Sequence, residues 1–232
     1  MRRPPPLPDR RFDGLAEAYE RWEALTGDPV ADWLPAALAR IGGPRRRAVD
    51  LTCGGGRHAV LLAHAYDAVL ANDLSDDMVA HARRLRPRPN VTYRAGDLHA
   101  VTGSFDLVFT AAALHDVPDL DAALRQVRRL VAPGGAAIVV DVVADRPRLR
   151  GPLPRSVVRA SMLHRLAGDL LRRDPDARAR YRAGTHPAWL EHLASDRLSL
   201  RGDLVRRIDA VMPGARHERL QYLHAAVWPA PR

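Results

Sequence analysis

Ala48-Val-Asp-Leu-Thr-Cys-Gly-Gly-Gly-Arg-His-Ala59 decides how the rest of the chain is read. The apolar residues of Arg47–Leu51 suit a short strand, the glycines at 54–56 a tight turn, and the residues through about Ala65 a helix. Glycines at such a turn let the main chain approach a ligand with no Cβ in the way. The helix that follows starts with N–H groups that have no partner within it, which favours an electron-rich group there.

The same alternation continues outward. Ala68–Asn72 reads as a second strand, and Ser75 caps a helix over Asp76–Leu85. Asn90–Arg94 is a third strand and Phe105–Thr110 a fourth. Asp119 leads a helix whose apolar stripe is Leu120, Ala123, Leu124, Val127, Leu130 and Val131, and Pro133-Gly134-Gly135 stops it. Ala136–Val143 is nearly all apolar, as a central strand covered on both faces should be. Strands alternating with helices of this length predict a parallel sheet with right-handed crossovers.

The flanks read differently. Residues 1–11 hold four prolines and four arginines and are expected to be a disordered lead. Leu15, Ala18, Tyr19, Trp22 and Leu25 recur at helical spacing, and a second helix starts at Asp28-Pro29 and ends before Gly42-Gly43-Pro44. After Asp145 the alternation breaks, and residues 150–211 read as helices only. Val158, Met162, Leu166 and Leu170 make one stripe with arginines opposite; Ala188–Ala194 and Leu200–Met212 follow. Ala215–Leu220 and Leu223–Trp228 are two closing strands. The expectation is one domain over 12–232, with a helical cap at about 150–211.

Composition narrows the classes. The chain has 232 residues, 47% of them hydrophobic, enough for a substantial core. Its apolar runs, such as Ala136–Val140, are far short of the ~20 residues of a membrane span. MRRPPPLPDRR has no apolar centre and does not read as a signal peptide. Cys53 is the single cysteine, so an internal disulfide and a Cys-rich zinc site are excluded. These features predict a cytoplasmic protein. The formal charge is +9, yet every one of the 36 basic residues is arginine, a composition footprint of a high-GC genome. The arginines scatter without interleaved aromatics, which argues against a nucleic-acid platform.

Glycine turns of this kind take either a dinucleotide, whose pyrophosphate sits on the helix end, or S-adenosylmethionine (SAM), whose methionine moiety and ribose lie there. A carboxylate at Asp50 would repel a pyrophosphate and suit an ammonium and a sulfonium. Asp73, 17 residues after Gly56, can accept bonds from both ribose hydroxyls of either ligand. Asp97, after Gly96, can accept one from an adenine amine. The simpler readings stand beside these: Asp50 as a helix cap, Asp73 as a helix-leading acid, Asp97 as a turn residue.

With these motifs in order, the chain resembles the class I SAM-dependent methyltransferases, in the broad small-molecule group. Asp50–Gly56 is similar to the family's acidic glycine-rich motif, Asn72–Met78 to its second and Ala95–Asp97 to its third. Phe105–His115 is similar to its fourth strand and the loop beyond, and Leu130–Gly135 to its turn into strand five. The likeness covers about residues 12–143 and returns weakly at 205–228. It implies a Rossmann-like α/β fold: a mostly parallel seven-stranded sheet, helices on both faces, N-terminal helices, and a helical cap between strands five and six.

It also implies SAM as cofactor, S-adenosylhomocysteine (SAH) as product and no metal. By the family's pattern, Asp50, Thr52, Gly54 and Gly56 hold the methionine end, with Gly54 and Gly56 making the close approach. Asp73 and Leu74 take the ribose, Met78 lies by the adenine, Asp97 and Leu98 flank it, and Thr110 and Ala111 line the methyl side. Tyr19 closes over the ligand, or is core. The family usually has glycine where Thr52 stands, and a β-branched residue restricts the turn. His115, with Asp116 a weaker choice, is the candidate base; His115 is equally readable as a packing residue. His164, His186 and His192 could face the acceptor from the cap. Cys53 reads as a buried spacer, His58 being the only histidine near enough to activate it.

The implied activity is methyl transfer to a small organic molecule at O, N or C, as in natural-product biosynthesis. Two alternatives stay open: a SAM-binding protein with other or lost chemistry, and an RNA methyltransferase. A nicotinamide oxidoreductase is disfavoured by Asp50. The acceptor and the oligomeric state are not legible.

Overall fold

A computed structural model describes residues 15–145, 154–195 and 198–231. Residues 1–14 lie outside this range, and with them the expected lead and the first residues of the expected domain.

Two helices, α1 (Ala16–Thr26) and α2 (Pro29–Ala39), precede the alternating region. It runs β1 (Arg47–Asp50), α3 (Arg57–Ala63), β2 (Ala68–Asp73), α4 (Asp76–Leu85), β3 (Val91–Ala95), β4 (Phe105–Ala111), α5 (Leu120–Leu130) and β5 (Val131–Ala144). Then come α6 (Arg155–Leu171), α7 (Ala177–Gly184), α8 (Pro187–Ser195), a two-residue β6 (Ser199–Leu200), α9 (Arg201–Val211), β7 (Arg216–Leu220) and β8 (Leu223–Pro229).

The main sheet has strand order β3-β2-β1-β4-β5-β8-β7. β1 to β5 pair in parallel, while β8 is antiparallel to both β5 and β7. This is the mixed, mostly parallel seven-stranded sheet that the motifs imply. β6 pairs beside the end of β5, so the expectation of helices alone over 150–211 needs that correction.

Local signals place the elements. Asp28 accepts from the N–H groups of Val30 and Ala31 and starts α2 at Pro29. Ser75 accepts from Met78 N at 3.2 Å and starts α4; Asp119 accepts from Ala122 N at 2.9 Å and starts α5. Every residue of β4 is buried, as a central strand requires. Its one acid, Asp106, accepts from the main-chain N–H groups of Arg46 and Arg47, which sets β4 against the start of β1. Each sheet face buries one apolar cluster. Leu34, Leu62 and Phe109 belong to the face under α2 and α3; Leu124, Leu130, Leu204 and Ile208 belong to that under α5 and α9.

The cap packs on α1. Trp189 of α8 sits edge-on to Tyr19 at 5.6 Å and tilted against Trp22 at 5.7 Å. Arg180 of α7 donates to the Leu25 carbonyl and pairs with Asp169 and Asp174. Gly184 leaves room for Trp22, since a Cβ there would stand 2.7 Å from the indole. The expected α6 stripe is partly corrected. Val158 is buried and Met162 and Leu166 are half-buried, but Leu170 is exposed.

Candidate active site

β1 delivers Asp50 into the interior at its carboxyl end, where the side chain is fully buried. Thr52 N donates to Asp50 Oδ1 at 3.3 Å. Oδ2 is buried and has no hydrogen-bond partner among the described residues. Burial pushes this carboxyl up to about 7, against the His58 charge and the Thr52 N–H; nearby Asp73 adds to the rise. A half-satisfied carboxylate there fits a cationic group that would favour its ionised form. Asp50 caps no helix: α3 begins at Gly56.

The glycines differ in what they face. Gly54 has φ +48°, and nothing lies within 4 Å of where a Cβ would be, so its surface is open to a ligand. Gly56 has φ +83°, and a Cβ there would stand 2.8 Å from the Tyr93 hydroxyl. Tyr93 thus gives a packing reason for glycine at 56. Thr52 also has a local reason. Its hydroxyl lies 2.9 Å from that of Thr110, which ties the loop to the end of β4.

Asp73 ends β2 and holds the loop: Gly54 N donates to Oδ2 at 2.8 Å and Ser75 N to Oδ1 at 2.9 Å. Asn72 beside it was not singled out by sequence. Its Nδ2 donates to the carbonyls of Leu51 and Gly96, joining the loops after β1 and β3. Asp97 does what the simpler reading expected, accepting from His99 N at 2.8 Å to start a short turn at Leu98–Ala100. Leu74 is half-buried; Met78, Leu98, Thr110 and Ala111 are buried. The expected cofactor residues Asp50, Thr52, Gly54, Asp73 and Thr110 are therefore joined by direct bonds or by sharing one loop.

Tyr19 is brought elsewhere. Its ring meets Trp189, and its hydroxyl shares a hydrogen bond with Glu23; burial, then the Glu23 charge, holds the phenol well above its ordinary range. Its neighbour Glu20 is the α1 residue that reaches the loop. It pairs with Arg57 and Arg86, and Arg86 also donates to the Gly55 carbonyl. Nothing in the spacing of α1 distinguishes Glu20 from an ordinary surface acid.

The loop after β4 places His115 where its Nδ1 lies 2.7 Å from Asp141 Oδ1, with both side chains buried. A carboxylate only accepts, so Nδ1 carries a hydrogen. Nε2 lies 3.6 Å from Asp116 Oδ2. Asp141 also accepts from Val142 N. The sequence did signal this residue: it is the one acid inside the apolar run Ala136–Val143.

The remaining candidates separate. His58 pairs with Asp28 at 3.0 Å, and Cys53 is buried, which pushes its thiol well above the ordinary range; it is the inert spacer expected. Of the cap histidines, His164 and His186 are exposed, and only His192 is buried, against Trp189. Among the described residues no group of three or more His, Cys, Asp or Glu is placed to hold a metal.

Comparison with known proteins agrees with this geometry. Residues 49–139 match the methyltransferase domain family. The malonyl-[acyl-carrier protein] O-methyltransferase of Halorhodospira halophila is 36% identical over 137 residues, 56% of this chain and 45% of that protein. The demethylmenaquinone methyltransferase of Beutenbergia cavernae is 33% identical over 139 residues, 56% of this chain and 55% of that one. The chain thus spans about half the length of these relatives. The solved DhpI–SAH complex superposes with a TM-score of 0.58 at 26% identity, over 94% of this chain and 98% of that one. Over residues 49–139 the chain is thus similar to the methyltransferase domain family, and its fold is similar to that of a solved SAH complex.

Proposed function

We propose that this protein transfers a methyl group from SAM to a small organic acceptor, releasing SAH. The observation that carries the reading is the buried, half-satisfied Asp50 beside open Gly54, with Asp73 fixing the same loop from β2. When bound, SAM supplies a methyl on a sulfonium, a leaving group that needs no protonation. Asp50 favours the cationic methionine end, Gly54 lets the main chain lie against it, and Asp73 takes the ribose hydroxyls. Asp97 keeps one oxygen for the adenine amine, beside Met78, Leu98 and Leu74. Thr110 and Ala111 wall the methyl side.

The acceptor side is the loop after β4 with the cap above it. His115 Nε2 takes the acceptor's proton, Asp141 fixes the ring and stabilises the imidazolium, and Asp116 adds a second carboxylate. A positioned base of this kind contributes about 10²–10⁴-fold. Alignment and exclusion of water do the rest. The relatives' names cover a malonyl-[acyl-carrier protein] and a demethylmenaquinone. That range supports an organic acceptor and leaves its identity to screening.

Calorimetric titration with SAM, SAH and NADH is the test. Micromolar binding of the first two and none of NADH is expected. Asp73→Ala should weaken both by roughly 30-fold or more, the worth of charged hydrogen bonds to two hydroxyls. Failure of both sulfur ligands to bind overturns the reading.

A further inference from the structure

The helix α6 is apolar on both sides, with Val158, Met162 and Leu166 facing inward. Its solvent side carries Val157, Ala160, Leu163, Ala167, Leu170 and Leu171, with Ser156 and His164 among them. Leu163 is 56% exposed and Leu171 86%. The only acid on the helix, Asp169, is turned inward, buried against Arg180 and Arg172. Arginines flank the apolar side: Arg155 and Arg159 along one edge, Arg165 and Arg172 along the other. Arg159 and Arg165 have no carboxylate partner among the described residues. By sequence, residues 146–173 hold eight arginines and one aspartate.

We propose that this face of α6 docks on an anionic lipid surface. An exposed apolar stripe edged by cations is the pattern of a helix lying in the plane of a bilayer interface. The aliphatic residues enter the acyl boundary, and the arginines stay at the level of the phosphates. A second copy of the chain is a poorer occupant. Pairing two such faces would bring Arg159 and Arg165 of each copy together, and the acid beside each face, Glu191, is already paired with Arg155. The arginines between α5 and α9 do not form an equivalent surface. Arg206 and Arg207 are paired with Asp203 and Asp121, and Arg128 and Arg129 donate to main-chain carbonyls. Tyr222, at the β7–β8 turn, is over half exposed and lies near Arg165, adding an interfacial aromatic beside the stripe. Docking here does not require a membrane span, and no described helix is long and apolar enough to make one.

Co-sedimentation of the full chain with vesicles tests this without reference to methyl transfer. Phosphatidylcholine vesicles are compared with vesicles of equal parts phosphatidylcholine and phosphatidylglycerol. Binding to the second is expected to be at least roughly tenfold tighter and to be released by high salt. Leu163→Glu with Leu171→Glu should abolish it while leaving the thermal midpoint unchanged, since both side chains are exposed. Should that variant misfold, Arg159→Gln with Arg165→Gln must weaken binding to the anionic vesicles. No binding of the parent chain to either vesicle overturns the proposal. So does anionic binding that survives the leucine substitutions. A dimer in light scattering that the leucine substitutions dissolve, without vesicle binding, would assign the face to self-association instead.

Discussion

Asp73 at the end of β2 and Trp189 in the proposed cap are held in different ways. Asp73 is fixed by main-chain N–H groups two residues away and across the loop. Trp189 is fixed by the rings of Tyr19 and Trp22, brought from a remote part of the chain, and by His192 three residues on. The proposed cofactor wall is thus built from backbone geometry, and the cap wall from side-chain packing. The family match runs over residues 49–139 and ends before the cap. Backbone geometry tolerates few residue types at a given position, whereas a packed wall can be refilled with other side chains of similar volume. One wall can therefore keep its ligand while the other changes acceptors.

The largest expected effect lies where the two walls meet. Asp141→Asn offers His115 an amide that can also donate, and the ring loses its fixed tautomer. Turnover should fall about 10²–10³-fold with SAM affinity unchanged. His115→Ala should fall as far, and the double variant no further, because the two act as one unit. Rates that drop independently and multiply would separate them. A loss of SAM affinity in Asp141→Asn would place the dyad on the cofactor wall and break the comparison.

A second test stays within the glycine loop. Gly56→Ala meets both a positive φ and the Tyr93 ring, and should cost about 2–3 kcal/mol of stability in a denaturant titration. Gly54→Ala meets the positive φ alone, at about 1 kcal/mol, yet it should weaken SAM binding more than its stability loss suggests. If the two glycines cost the same in stability, Tyr93 does not set the requirement at 56.

This pair shows what the sequence conveyed. The strand–helix alternation, the mostly parallel sheet and the glycine loop were legible because each depends on neighbours within a few residues or on a spacing the fold repeats. The separate duties of Gly54 and Gly56 were not, since they depend on Tyr93, far along the chain. Glu20 reaches the loop only once α1 has docked, and Asp141 meets His115 only once β4 and β5 have paired. The stripe Val158, Met162 and Leu166 of α6 is covered as read, but Leu170 is exposed and the opposite side, expected to hold arginines, also carries Val157 and Leu163.

The smallest effect sharpens the electrostatics of the cofactor wall. Asp50 in the folded chain is pushed up to about 7, above its ordinary carboxylate range, chiefly by burial. A raised carboxyl favours its neutral form in the fold. Its contribution to stability is therefore fully present below the unfolded value near 4 and is lost as pH rises through about 7. Asp50→Asn removes that titration. Without ligand, the variant should melt with the parent at pH near 4 and above it at pH near 8. The cationic end of SAM makes the opposite demand. Parent affinity should strengthen as pH rises through 7, while the variant binds weakly at every pH. Parallel melting curves across this range would show that Asp50 is already ionised in the free protein. The carboxylate would then be a structural acid, and selection of the cation would have to come from elsewhere on the loop.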